Sequence, residues 1–160
     1  MNYLTFIFKD PDTLIVKCVG VKYKKTVFTD QDIYKLLKNG TSNLEVKLWL
    51  KELRKENKLP LIEILYQGPD SCQACYLKQQ VFIQSIKDGI QLLGQKPLLK
   101  KYTKKVRNNL NMRSPISDQY GTVYPGILEA AEQLLIAPSN ISKVLHGKLE
   151  HIGGYKFTFI

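Results

Sequence analysis

Ser139, Asn140, Ser142, Lys143 and His146 crowd into eight positions near the end of the chain, and Lys148 and Lys156 follow shortly after. Short hydroxyl, amide and imidazole side chains are the types that hydrogen-bond to base edges, and lysines neutralise phosphates. A second group with chemical spacing is Cys72-Gln73-Ala74-Cys75, which has the separation of a metal knuckle. A structural zinc site needs four ligands. No second cysteine pair accompanies this one, Cys18 stands alone, and His146 and His151 lie far along the chain. The expectation is therefore no metal site, with Cys72 and Cys75 as ordinary thiols at the start of a helix.

The polar group near the C-terminus needs a scaffold, and the surrounding pattern supplies one. Ile127, Ala130, Ala131, Leu134 and Leu135 recur at three- and four-residue spacing, which gives a helix beginning near Gly126 one apolar face. Pro138 suits the first turn of a second helix, with Ala137 or Ser139 in the cap region. Ile141, Val144 and Leu145 form that helix's inner stripe, which leaves the polar group outside, and Gly147 is placed to end it in a left-handed conformation. Beyond it, Tyr155, Phe157 and Phe159 alternate with Lys156 and Thr158 as a half-buried terminal strand, and Gly153-Gly154 allows a tight turn ahead of it. Two helices with an outward polar stripe suit a DNA-reading helix-turn-helix; the plainer reading is a structural helical hairpin packed on a strand.

The remaining elements form a separate region. Tyr3 to Phe8 and Leu14 to Val21 read as strands around a turn at Asp10-Pro11-Asp12. A short helix, Asp30 to Lys38, is expected next, with Ile33, Leu36 and Leu37 inward. A longer helix capped by Ser42 or Asn43 runs through Lys55, with Leu44, Leu48, Leu50 and Leu53 on its apolar side. Leu61 to Tyr66 reads as a strand, and Ser71 to Ser85 as a helix with Leu77, Val81, Phe82 and Ile86 inward. The class is α+β: residues 1–95 form a small mixed sheet with flanking helices, 96–113 a basic linker, and 114–160 a helix-turn-helix module with a terminal strand.

The formal charge of +10 on 160 residues favours a polyanionic partner. Residues 1–95 carry +4 and residues 96–160 carry +6. Much of the latter lies in the linker, where Lys96, Lys100, Lys101, Lys104, Lys105, Arg107 and Arg113 provide electrostatic support for binding a phosphate backbone. The odd cysteine count does not suggest a disulfide framework. No stretch reads as a signal peptide and no apolar run is long enough to cross a bilayer, so an intracellular location without membrane contact is expected.

Asp118 to Lys148, continued by His151-Ile152-Gly153-Gly154-Tyr155-Lys156-Phe157, resembles the nuclease-associated modular DNA-binding domain repeated at the C-termini of homing endonucleases. That resemblance implies double-stranded DNA as partner, with Ser139, Asn140, Ser142, Lys143, His146, Lys148 and Lys156 in contact with it. The chain has Leu135 where glycine commonly ends the family's first helix. Residues 1–90 resemble a GIY-YIG endonuclease domain through Tyr3-Leu4-Thr5-Phe6, Cys18-Val19-Gly20, the run Trp49 to Leu53 and the run Leu59 to Leu65. The family cleaves phosphodiesters with a tyrosine near the first motif, an arginine on the first helix and a metal-binding glutamate.

This chain departs from that pattern at its chemistry. Cys18 replaces the second motif's tyrosine, Gln79 or Gln80 stands at the glutamate position, and only lysines (Lys22, Lys24, Lys25, Lys35, Lys38) occur between Gly20 and Gly40. A hard cation needs carboxylate oxygen, and lysine lacks arginine's planar fork. Tyr3, Cys18 and Gln79 are therefore degenerate positions, and no catalytic residue is assigned. The leading expectation is a DNA-binding protein of phage or mobile-element type derived from a homing endonuclease, without cleavage and without a cofactor, in the host cytoplasm if phage-encoded. An alternative is a structural or packaged component of a larger assembly such as a virion, reusing these folds for protein contacts. A further alternative is a weakly active GIY-YIG endonuclease, in which case a divalent metal is required.

Overall fold

The computed structural model describes residues 1–95 and 114–160. The expected linker, with Lys96, Lys100, Lys101, Lys104, Lys105, Arg107 and Arg113, lies outside the described residues. The chain divides into two compact units, Met1–Lys96 and Pro97–Ile160. Among the described residues, five helices and two three-stranded antiparallel sheets make the class α+β, as expected.

The first unit is built around one strand. β1 (Asn2–Lys9) pairs antiparallel with β2 (Val16–Lys24) on one side and β3 (Leu61–Gly68) on the other, giving the order β2-β1-β3. Both pairings are antiparallel, where a mixed sheet was expected: a tight hairpin joins β1 to β2, and β3 returns across the other edge of β1. In the hairpin turn the Asp10 carboxylate accepts from the backbone N–H groups of Asp12 and Thr13, at 3.1 and 3.0 Å. Those charge-stabilising bonds hold the Asp10 carboxyl below the ordinary carboxylate range.

Because successive side chains of a strand point to opposite faces, β1 separates two cores. Leu4, Phe6 and Phe8 face a cluster with Cys18, Leu36, Val46, Leu50 and Leu53, from β2 and the helices α1 (Asp30–Asn39) and α2 (Leu44–Lys55). Ile7 packs on the opposite face with Val19 and Leu92, backed by Val81 and Phe82 of α3 (Ser71–Lys87). Thr5, fully buried on that face, donates its hydroxyl to the Ala74 carbonyl at 2.9 Å, which satisfies a polar group that burial would otherwise penalise. Gly20 lies opposite Phe6, and a Cβ there would come within 2.5 Å of the ring, so this glycine is a packing requirement.

Three expected inward faces are revised. On α2 the buried stripe is Val46, Leu50 and Leu53, with Trp49 packed beside it; Leu44 is 68% exposed and Leu48 52%. Leucines occupy both sides of this helix, and position 44 lies roughly 200° around the axis from position 46 at 3.6 residues per turn. Asn43 is the cap, its side chain accepting from the Val46 N–H at 3.2 Å. On α3 the fully buried positions are Ala74, Ile83 and Ser85, while Leu77, Val81, Phe82 and Ile86 are half-buried. On α1 only Leu36 is buried, and Ile33 and Leu37 are half-buried.

The second unit places α4 (Ile127–Leu134) and α5 (Pro138–Leu145) beside a small sheet of β4 (Ile116–Asp118), β5 (Val123–Tyr124) and β6 (Phe157–Phe159), in the order β5-β4-β6. β4 and β5 were not anticipated, because at three and two residues they are too short for a periodicity to show. The terminal strand is also shorter than expected. Tyr155 is buried in a separate bridge to Ile152, around Gly153 and Gly154 at φ 59° and 81°, and Phe159 is 46% exposed. Ile116, Ile127, Ala130, Ile141 and Phe157 are all buried.

Candidate nucleic-acid interface

Helix α5 owes its position to the turn before it. Leu135 ends α4 at φ 55° and ψ 39°, the left-handed conformation for which glycine is the usual choice. Its N–H and that of Ile136 both return to the Ala131 carbonyl, the latter at 3.1 Å, and Ile136 is buried. The turn that glycine commonly forms is thus made here by a leucine. Ala137 then caps α5 in an extended conformation and Pro138 opens its first turn. At the far end Gly147 is left-handed at φ 67°, with its N–H on Val144 O and the Lys148 N–H on Lys143 O, at 2.9 and 2.8 Å. That pair of bonds is a Schellman motif, and it fixes where Lys148 leaves the helix.

Ile141 and Val144 face inward, with Leu145 half-buried. Ser139 and Lys143 are exposed, and Asn140 and Ser142 are half-buried. Positions 139, 142, 143 and 146 share one stripe at helical spacing. His146, the C-cap residue, is less free than its exposure suggests. Its Nδ1 lies 2.7 Å from the Ser142 carbonyl, and since a carbonyl only accepts, Nδ1 carries the hydrogen. The ring stands edge-on to Phe159, with centroids 6.0 Å apart, and leaves Nε2 as its second hydrogen-bonding atom. Lys143 and Lys148 make no ion pair among the described residues, whereas the Lys156 ammonium lies 3.3 Å from the Glu150 carboxylate.

Asp118 holds the base of this unit together and was missed in the sequence. Its buried carboxylate accepts from the N–H groups of Tyr120 and Thr122 and from the Tyr124 hydroxyl, each at 2.9 Å. Burial, followed by this bond to a carboxylate, raises the Tyr124 phenol well above its ordinary range. Gln119 bridges to the opposite end of the unit, donating to the Gly154 carbonyl at 2.7 Å and accepting from the Lys156 N–H at 2.8 Å. An aspartate two residues ahead of Tyr120-Gly121 is the signal that could have found the turn.

The positions aligned with nuclease chemistry are not brought together. Cys18 is buried among Leu36, Val46 and Leu50 on the α1/α2 side of the sheet, and desolvation pushes its thiol up to about 11. Tyr3 has the strand parity of Thr5 and Ile7, on the opposite side, and its ring lies against Tyr23. Gln79 is half-buried on α3. These donors do not fit a hard divalent cation, which takes carboxylate and carbonyl oxygens. Cys72 and Cys75 lie in the first turn of α3, capped by the Asp70 side chain, and burial raises the Cys75 thiol. Among the described residues no three of histidine, cysteine, aspartate and glutamate come together, and no helix is long and apolar enough to cross a membrane.

Residues 120–158 match the family model of the DNA endonuclease I-HmuI-like, NUMOD-like domain. The match includes α4, the Leu135 turn, α5 and most of β6, and begins just after Asp118 and Gln119. Comparison with curated proteins gave no match, and comparison with solved structures gave none.

Proposed function

We propose that the chain is a DNA-binding protein of mobile-element type in which α5 reads duplex DNA. One observation carries the reading: within the segment similar to an endonuclease-associated module, an eight-residue helix with a buried inner face presents serine, asparagine, lysine and histidine side chains on the other. At about 12 Å long, α5 matches the width of the major groove. Asn140 and Ser142 contact base edges, His146 contributes Nε2, and Lys143, Lys148 and, after release from Glu150, Lys156 meet phosphates.

Charge divides the work between segments. Residues 114–160 hold three lysines against four carboxylates, while residues 96–113 hold seven lysines and arginines and no carboxylate. The module supplies contacts, and Lys100, Lys101, Lys104, Lys105, Arg107 and Arg113 supply the salt-dependent attraction. The first unit is a GIY-YIG-like scaffold that has lost cleavage. Cys18 in a hydrophobic core, Gln79 in place of a carboxylate and the absence of arginine between Gly20 and Gly40 all support that reading.

Selection of the full chain against a random duplex pool tests the proposal. An enriched motif that is lost in N140A/K143A supports it. Each good base contact contributes about 1–3 kcal/mol of discrimination, so that variant should lose roughly tenfold or more in specific affinity. Binding without sequence preference, or binding indifferent to salt, sinks it. Nicking of supercoiled plasmid in magnesium or manganese would overturn the loss of cleavage.

A further inference from the structure

The first unit carries a cleft of about 350 Å³ between the end of β2 and α1. Leu4, Leu36 and Phe28 contribute apolar lining, and Lys22, Lys24, Lys35 and Asn39 contribute the polar groups. Asp32 is the one carboxylate among its lining residues, and it is already engaged: it accepts from the Thr29 N–H and hydroxyl, each at 2.8 Å, and pairs with Lys24. Those bonds hold the Asp32 carboxyl well below its ordinary range, with the Lys24 bond the largest cause. Lys24 is thereby neutralised, and its ammonium is anchored 5.3 Å from the centre of the Phe28 ring. Lys22 and Lys35, one on the strand and one on the helix, make no ion pair among the described residues.

Two uncompensated ammonium groups beside an apolar surface and a side-chain amide suit a phosphate ester that carries an organic group. We propose that this cleft holds a nucleotide unit of bound DNA through its backbone phosphate, so that the first unit makes a contact of its own. The inference rests on the reading of the chain as a DNA-binding protein, and it adds a site on a unit to which no binding role has been assigned. The cleft is large enough for one nucleotide. Its cations belong to two different elements held by the Lys24–Asp32 pair, so their spacing is set by the fold. Two lysine contacts give affinity without reading bases.

The test compares the full-length chain with K22Q/K35Q, in which glutamine keeps most of each apolar stem and removes the charge. Binding of a labelled duplex is followed across a salt titration, with melting temperature as the control on folding. The slope of log affinity against log salt should fall by about 1.8 in magnitude, at about 0.9 per lost phosphate contact. K22R/K35R, which keeps both charges, should restore it. An unchanged slope in K22Q/K35Q, with N140A/K143A still weakened, overturns the cleft and leaves the α5 reading intact.

If the full chain binds no duplex, the α5 reading fails and a single-stranded oligonucleotide decides the cleft. A slope reduced by about 0.7 per lysine then supports the site, and no binding overturns it. Binding of dAMP that depends on Lys22 and Lys35 while DNA binding does not assigns the cleft to free nucleotides and overturns the polymer contact. Poly-glutamate competing through the same two lysines as well as DNA does so equally.

Discussion

Cys18 and Ser142 are both small polar residues within regular elements, and the two units treat them in opposite ways. Cys18 is sealed under α1 and α2 with its thiol among leucine and valine side chains, whereas Ser142 lies on the outer side of α5 beside His146. In the first unit β1 is covered on both faces, so polar groups there are either satisfied internally, as Thr5 is by Ala74, or kept un-ionised, as Cys18 is. In the second unit the buried polar work is concentrated in Asp118, at the base, and α5 keeps its polar side chains for the outside. A motif position is thus informative only together with the face it occupies: Cys18 occupies a motif position and has no access, while α5 has access without any catalytic residue.

The largest expected effect separates the units outright. Ile141 is fully buried at the centre of the second unit, and Ile141→Ala should cost about 2–5 kcal/mol. A module of this size has little stability in reserve, so α5 and the sheet should unfold together. Calorimetry and circular dichroism should then show a lost transition for the second unit and an unmoved one for the first. A shift of both transitions by the same amount would mean that the units do not unfold independently.

Cys18 offers the next test, through pH. Burial raises its folded pKa from 9.0 to about 11, so between those values the unfolded chain releases a proton that the folded chain keeps. Stability contributed by this group is present below pH 9 and is lost as pH rises toward 11, by roughly 2 kcal/mol in all. Denaturant titrations of the wild type and Cys18→Ala should therefore converge or cross in that window, the wild type losing ground. At pH 8, iodoacetamide should modify Cys72 and Cys75 well before Cys18. Equal labelling of all three would refute the sealed core.

Tyr124→Phe probes the corresponding buried polar group of the second unit. It removes the hydroxyl that donates to Asp118 at 2.9 Å and leaves that carboxylate oxygen short of a donor, at a cost of about 1–2 kcal/mol. Thermal melting of the second unit reports it. An unchanged melting temperature would show that Asp118 needs only its two backbone partners.

Much of this organisation was legible because its signals are long. The helices of both units follow apolar spacing and cap residues, and the outward placement of Ser139, Asn140, Ser142, Lys143 and His146 follows from where Ile141 and Val144 must go. Leu44 and Leu48 misled because hydrophobicity alone does not choose between two leucine-bearing faces; the choice came from packing on Phe6 and Phe8. Asp118, Gln119, β4 and β5 were hidden because their order depends on partners 35 to 41 residues away in sequence, such as Gly154, Lys156 and Thr158. The pairing of Lys156 with Glu150 and the return of His146 to its own helix are side-chain choices that a helical wheel does not contain.

The smallest effect bears on the turn that positions α5. Leu135 is held in the left-handed region at φ 55°, where its Cβ crowds the following carbonyl at a cost of about 1–2 kcal/mol. Glycine relieves that strain but gives up a half-buried side chain and brings more chain entropy to the unfolded state. A comparison with the wild type alone would mix these terms. Leu135→Ala keeps a Cβ and loses nearly the same packing, so the difference between Leu135→Gly and Leu135→Ala isolates the backbone. Leu135→Gly should be the more stable of the two by about 1 kcal/mol, read from the melting of the second unit. Its DNA affinity should match the wild type, since the turn that sets α5 is unchanged. If the alanine variant proves as stable as the glycine variant, the turn is not strained, and a leucine there costs the module nothing.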